Sequence, residues 1–109
     1  MPNAYTQLYI QLVFAVRGRK HLIQPDWEVP LHKYITGVVQ NDGHKLLAIN
    51  GMPDHIHIFL GLNPAIAISN LVKDVKTASN HWINDQDFLT SKFSWQEGYG
   101  AFSYSKSHV

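Results

Sequence analysis

The chain has 109 residues, a formal net charge of +1, 45% hydrophobic residues and no cysteine. A domain of that size buries about two-thirds of the surface its unfolded chain would expose, and the composition is not that of a disordered segment. Disulfides and thiolate metal sites are excluded, the whole surface is not basic enough to announce a nucleic-acid binder, and no apolar run approaches the roughly 20 residues of a membrane span.

The opening segment Met1-Pro2-Asn3-Ala4-Tyr5 lacks the basic-then-apolar pattern of a secretory leader. A cytoplasmic protein is expected. From Tyr5 to Val16 apolar and polar residues alternate. Leu8, Ile10, Leu12 and Phe14 fall on one face and Gln7, Tyr9 and Gln11 on the other, which predicts a long strand with one buried side. Arg17-Gly18-Arg19-Lys20-His21 is the densest basic cluster and ends that strand.

A helix is predicted next, with Asp26 as its N-cap and Pro30 confined to the first turn. Leu31, Tyr34, Ile35, Val38 and Val39 make one apolar stripe, and Gly43 supplies a left-handed stop. Lys45 to Asn50 reads as a short strand, Gly51-Met52-Pro53 as a turn, and Asp54 to Leu60 as a further strand. A second helix is expected over Ile66 to Asn84, with Asn63-Pro64 and Ser69 as competing start signals. Its inner face is Ile68, Leu71, Val72, Val75, Ala78, Ser79 and Trp82, and Lys73, Lys76 and Asn80 share its outer flank. Phe93 to Glu97 and Tyr99 to Tyr104 look extended, with Gly98 and Gly100 marking a bulge or kink.

Strand, helix, strand, strand, helix, strand is the split βαβ order of an α+β, ferredoxin-like sandwich. Its antiparallel sheet carries both helices on one face, and its first and third strands are central neighbours. Gln7, Tyr9 and Gln11 are then expected to share the open face with His55 and His57.

Those two histidines, in Pro53-Asp54-His55-Ile56-His57-Ile58-Phe59-Leu60, carry the chemistry. Residues two apart on a strand project to the same side, so the imidazoles stand together while Ile56, Ile58 and Leu60 enter the core. Two neutral imidazoles can grip one divalent cation and leave positions open for a substrate oxygen. The same spacing also arises as a half-buried pair bonded to backbone or water. By alternation Asp54 faces away from the pair and is not taken as a ligand. A two-histidine phosphoesterase needs a second His-x-Ser or His-x-Thr, and no other histidine here is followed by one.

Met52-Pro53-Asp54-His55-Ile56-His57-Ile58, followed later by Trp95-Gln96-Glu97-Gly98-Tyr99-Gly100-Ala101-Phe102-Ser103, resembles the single-tyrosine HUH transposases of small bacterial insertion sequences, the IS200-like transposases. The resemblance covers almost the whole chain. It implies metal-dependent cleavage and rejoining of single-stranded DNA with hairpin ends through a 5′-phosphotyrosine link. It makes His55 and His57 the ligands of Mg²⁺ or Mn²⁺ and implies a homodimer. Lys73, Lys76, Arg17 and Arg19 are the candidate phosphate contacts.

The family's nucleophilic tyrosine lies on a helix after the Trp-Gln-Glu-Gly-Tyr segment, and this sequence ends at Val109, where that helix would begin. The reading is therefore a chain truncated before its nucleophile, with no catalytic tyrosine assigned. Tyr104 is the nearest to the end, but a strand-borne tyrosine lacks the helical glutamine partner the family's chemistry uses, so it is not taken as a displaced nucleophile. The rival reading is a non-catalytic module that binds single-stranded nucleic acid.

Overall fold

The computed structural model describes residues 8–104. Gln7 and Tyr5 lie outside the described residues. Strand β1 spans Tyr9–Ala15, and a single 3-10 turn follows at Arg17–Arg19. Helix α1 spans Pro25–Asn41, β2 Lys45–Met52, β3 His55–Gly61, α2 Ile68–Asp85 and β4 Gly100–Tyr104. The four strands pair antiparallel in the order β2-β3-β1-β4. This is the expected α+β, ferredoxin-like sandwich.

Alternation divides the central strands as the sequence predicts. Ile10, Leu12 and Phe14 of β1 and Ile56, Ile58 and Leu60 of β3 are buried. Trp27, Leu31, Ile35 and Val39 of α1, with Leu71, Val72, Val75 and Ile83 of α2, join them in one core. Burial of aliphatic and aromatic side chains at about 1.5–3 kcal/mol each is what holds the helices to this face. Tyr34 stacks on Trp82 between the helices, with ring centroids 5.2 Å apart. Leu8 departs from the pattern: it precedes β1 and is exposed.

Several boundaries differ from expectation. Asp26 does not cap α1; the cap position is Gln24, Pro25 takes the first helical position, and Asp26 sits with Glu28 in the first turn. Proline is preorganised for that place and acids there meet the positive end of the helix dipole. Pro30 lies inside the helix, past its first turn. Neither Asn63-Pro64 nor Ser69 starts α2, whose cap is Ala67. Asn63 instead organises the preceding loop, accepting from the Ala65 amide and donating its own to His44.

The hairpin between β2 and β3 is tighter than predicted. Gly51 and Met52 belong to β2, Met52 pairs with His55, and only Pro53 and Asp54 turn the chain. Asp54 is therefore a turn residue, not the first residue of a strand.

No continuous strand forms over Phe93 to Glu97. Trp95 makes an isolated bridge to Val16, and regular pairing resumes with Gly100 opposite Val13. The segment opposite β1 carries extra residues between those two pairs, with Gly98 in the left-handed region at φ +87°. This is the irregularity the glycines announce. Lys76 fills it. Rather than sharing an outer flank with Lys73, it is half-buried, and its Nζ donates to the Gln96 and Gly98 carbonyls at 2.7 and 2.6 Å. Lys73 is exposed.

Candidate functional site

On the sheet face away from the helices, register sets the neighbours. His57 lies between Val13 of β1 and Asn50 of β2, and His55 between Ala15 and Met52. Both rings are half-buried, their centroids 5.0 Å apart. A groove of about 450 Å³ opens beside His57, lined by Gln11, Asn50, Met52 and Phe59 among others.

Each imidazole is held at Nδ1. His55 Nδ1 lies 2.7 Å from Asp54 Oδ1, and Arg19 Nε donates to Asp54 Oδ2 at 3.1 Å. The expectation that Asp54 faces away from the pair is thus corrected. Strand alternation does not apply to a turn residue, and its carboxylate folds back onto the first ring. The hydrogen bond from His55 holds the Asp54 pKa below the usual carboxylate value, helped by Arg19 and opposed by burial. His57 Nδ1 lies 2.8 Å from Gln11 Nε2, and the Tyr104 hydroxyl donates to Gln11 Oε1 at 3.4 Å.

Backbone geometry delivers these partners. Gly18 at φ +67° and Arg19 at φ +55° turn the basic loop back toward the hairpin. The Val16 amide donates to the Asp54 carbonyl at 2.8 Å and the Ile23 amide to Pro53 at 3.0 Å, pinning the hairpin tip. Arg19, still 59% exposed, is the one phosphate-contact candidate hydrogen-bonded into the histidine cluster. Arg17 is exposed on the same turn. Lys73 stands in the helical layer, and Lys76 is occupied by carbonyls and lies over the Phe14 ring, 5.6 Å from its centroid. Burial lowers the Lys76 pKa, against a smaller opposing effect of Glu97.

The pair fits a divalent cation in part. With Nδ1 engaged on both rings, Nε2 is the nitrogen that faces away from each partner; His55 has its lone pair there, whereas His57, which accepts from Gln11 at Nδ1, carries its proton there as placed. Among the described residues, no group of three or more His, Cys, Asp or Glu is arranged around a metal position. Two imidazole ligands suit a cation whose remaining positions belong to water and substrate oxygens.

Sequence reasoning placed Tyr9 and Gln11 on this face but missed that Gln11 reaches His57. The signal was available in the expected β1–β3 neighbourhood, though not the register. It also left open which aromatics are exposed. Phe102 and Tyr104 are, on β4, and Tyr9 stacks on Phe59 at 6.1 Å.

Fold and site together define a ferredoxin-like domain presenting paired imidazoles, polar side chains and exposed aromatics on a sheet face that neither helix among the described residues covers. Comparison with known proteins gives this class its family. A profile described as "Transposase IS200 like" matches residues 4–109, and the chain belongs to that family. It is 29% identical over 73 residues to the ISDra2 transposase TnpA of Deinococcus radiodurans, a match covering 67% of this chain and 52% of that protein. The matched region thus spans about half the length of this curated relative. A crystal structure of a D. radiodurans protein assigned as a transposase superposes with a TM-score of 0.87 at 23% identity, over 99% of this chain and 88% of that one. A REP-associated tyrosine transposase bound to a REP hairpin superposes at 0.69 and 16% identity, over 97% and 62%. At these identities the likeness to the two structures is one of fold. Among the described residues, no helix is long and apolar enough to cross a membrane.

Proposed function

We propose that this chain serves DNA transposition by binding single-stranded DNA with hairpin ends and supporting its metal-dependent cleavage and rejoining, as part of a homodimer. The observation that carries the reading is the His55–His57 pair on the open sheet face, both rings held at Nδ1, in a chain of the IS200-like transposase family. The solved neighbour bound to a hairpin supports the choice of DNA partner.

His55 and His57 would hold Mg²⁺ or Mn²⁺, which when bound supplies polarisation of the scissile phosphate and offsets charge in the transition state. Arg17 and Arg19 contact phosphates beside the pair, with Lys73 and Lys76 as further candidates on α2. Phe102, Tyr104 and Phe59 offer ring faces for unpaired bases. In the proposed reaction a tyrosine hydroxyl loses its proton and attacks phosphorus. The bond to the 3′ oxygen breaks, that oxygen takes a proton, and a 5′-phosphotyrosine remains. Reversal with another 3′-OH rejoins strands without ATP.

A second reading, a non-catalytic module for single-stranded nucleic acid, draws on the tyrosines. Tyr9 stacks on Phe59, Tyr34 on Trp82, and the Tyr104 hydroxyl bonds Gln11. Incubation with a labelled hairpin oligonucleotide and Mn²⁺, followed by denaturing electrophoresis, separates the two. A covalent adduct lost in His55→Ala and His57→Ala supports cleavage. Metal-tolerant binding with no adduct leaves the module. An adduct that Tyr104→Phe abolishes would place the nucleophile on β4.

A further inference from the structure

The four groups around the imidazoles form two unlike arms. On one, an acceptor-only carboxylate meets His55 Nδ1 at 2.7 Å and is itself tied to Arg19 at 3.1 Å. On the other, an amide meets His57 Nδ1 at 2.8 Å and is tied to the Tyr104 hydroxyl at 3.4 Å. We propose that Asp54 and Gln11 are positioning residues that set the tautomers of the two histidines, making His55 a fixed metal ligand and His57 a conditional one. This rests on the metal reading above and deepens it.

The chemistry follows from what each partner can accept. An ionised carboxylate has no proton to give, so neutral His55 must carry its proton on Nδ1 and keep the Nε2 lone pair for a cation. Gln11 has both kinds of group. Placed as in the structure, its Nε2 donates to His57 Nδ1, so the proton of neutral His57 sits on Nε2 and that nitrogen cannot ligate. If the amide turns over, Oε1 accepts from Nδ1–H and Nε2 of the ring becomes a ligand. Tyr104 permits both states, because a phenol hydroxyl donates to Oε1 in the first and accepts from the amide N–H in the second. Ligation by His57 is therefore coupled to an amide turn and to the direction of the Tyr104 hydrogen bond. The Asp54 arm has no such freedom.

One substitution separates this from simple structural support. Gln11→Glu replaces the two-way amide with an acceptor-only group of similar shape, and is expected to lock His57 in the ligating tautomer. Mn²⁺ affinity by titration calorimetry should rise several-fold in Gln11→Glu. It should fall roughly 10-fold or more in Asp54→Asn, the range for loss of a group behind a metal ligand, and Gln11→Leu, which leaves the His57 tautomer unset, should bind several-fold more weakly than Gln11→Glu. Imidazole ¹⁵N–¹H correlation spectra without added cation give the second readout. His55 is expected with its proton on Nδ1, and His57 with its proton on Nε2 in the parent chain but on Nδ1 in Gln11→Glu.

The outcomes are distinguishable. A parent chain that binds no Mn²⁺, with these tautomers observed, sinks the metal reading and keeps the positioning roles. A chain that binds Mn²⁺ while His57 has one tautomer in both proteins, or while all three variants keep affinity within twofold, overturns the positioning inference alone. Thermal midpoints of the variants establish that each is folded.

Discussion

Replacing Ser79 by Ala tests how the segment leading to β4 is anchored. Ser79 is fully buried on α2; its hydroxyl donates to the Val75 carbonyl and accepts from Trp95 Nε1 at 2.9 Å. Trp95 is 7% exposed. It is wedged edge-on against Phe14 and Phe93, with centroids 4.8 and 4.9 Å away. The indole N–H therefore cannot swing to water when its acceptor is removed. A buried donor left unpaired costs about 1–3 kcal/mol, and the lost hydroxyl leaves little cavity. We expect about 2 kcal/mol of destabilisation, which lowers the melting midpoint of a domain this size by about 10 °C. Urea unfolding followed by tryptophan fluorescence and circular dichroism measures it. In a Trp95→Phe background, where the donor is already gone, the same replacement should cost at least about 1 kcal/mol less. An effect within about 0.5 kcal/mol of zero, or one equal in both backgrounds, would refute the reasoning. Metal affinity should hold, because the imidazoles rest on β3 and not on this anchor.

Lys76→Met is expected to destabilise by about 1–2 kcal/mol, since the Gln96 and Gly98 carbonyls lose a charged donor, whereas exposed Lys73→Met should change stability by less than about 0.5 kcal/mol in the same urea titrations. Binding of a single-stranded hairpin should weaken in Arg19→Gln and Lys73→Gln, each reducing the slope of log affinity against log salt by about 1, as loss of one phosphate contact requires; equal slopes in parent and variant would remove that residue from the interface. Stability should also decline in mild acid. Burial lowers the pKa of His44, and of His32 despite Glu28, below the ordinary 6.5. As pH falls below about 6.5 the unfolded chain therefore takes up protons the folded chain resists, and stability drops until the lower folded values are passed. His44→Leu should flatten urea midpoints plotted between about pH 7 and 5, even if it lowers them all. Asp54, depressed by its partners, acts in another window: its contribution is present above 3.8 and is lost only as pH falls through its lower folded value.

Period-two alternation in β1 and β3 and the 3.6-residue stripe of α1 identified the sheet, its covered face and the side on which His55 and His57 stand. Those are properties of local backbone geometry, and any partner packing against the apolar face preserves them. Element ends were less legible. Pro53-Asp54 closes the hairpin because Met52 pairs with His55, a registration that one strand's sequence does not contain. Ser79 reads as one more inner-face residue of α2 and Trp95 as part of an extended segment, and only the packed fold brings the indole N–H onto the hydroxyl.

The sequence by itself determined which residues could do chemistry and on which surface, since side-chain direction along a strand repeats every two residues wherever the strand goes. Tertiary structure alone decided what each imidazole leans on. Asp54 and Arg19 meet through a left-handed turn, Gln11 and His57 through strand pairing across the sheet, and Lys76 through carbonyls a bulge set free. A hydrogen bond between distant segments depends on angles and ångströms that accumulate over the whole fold, and no local pattern encodes them.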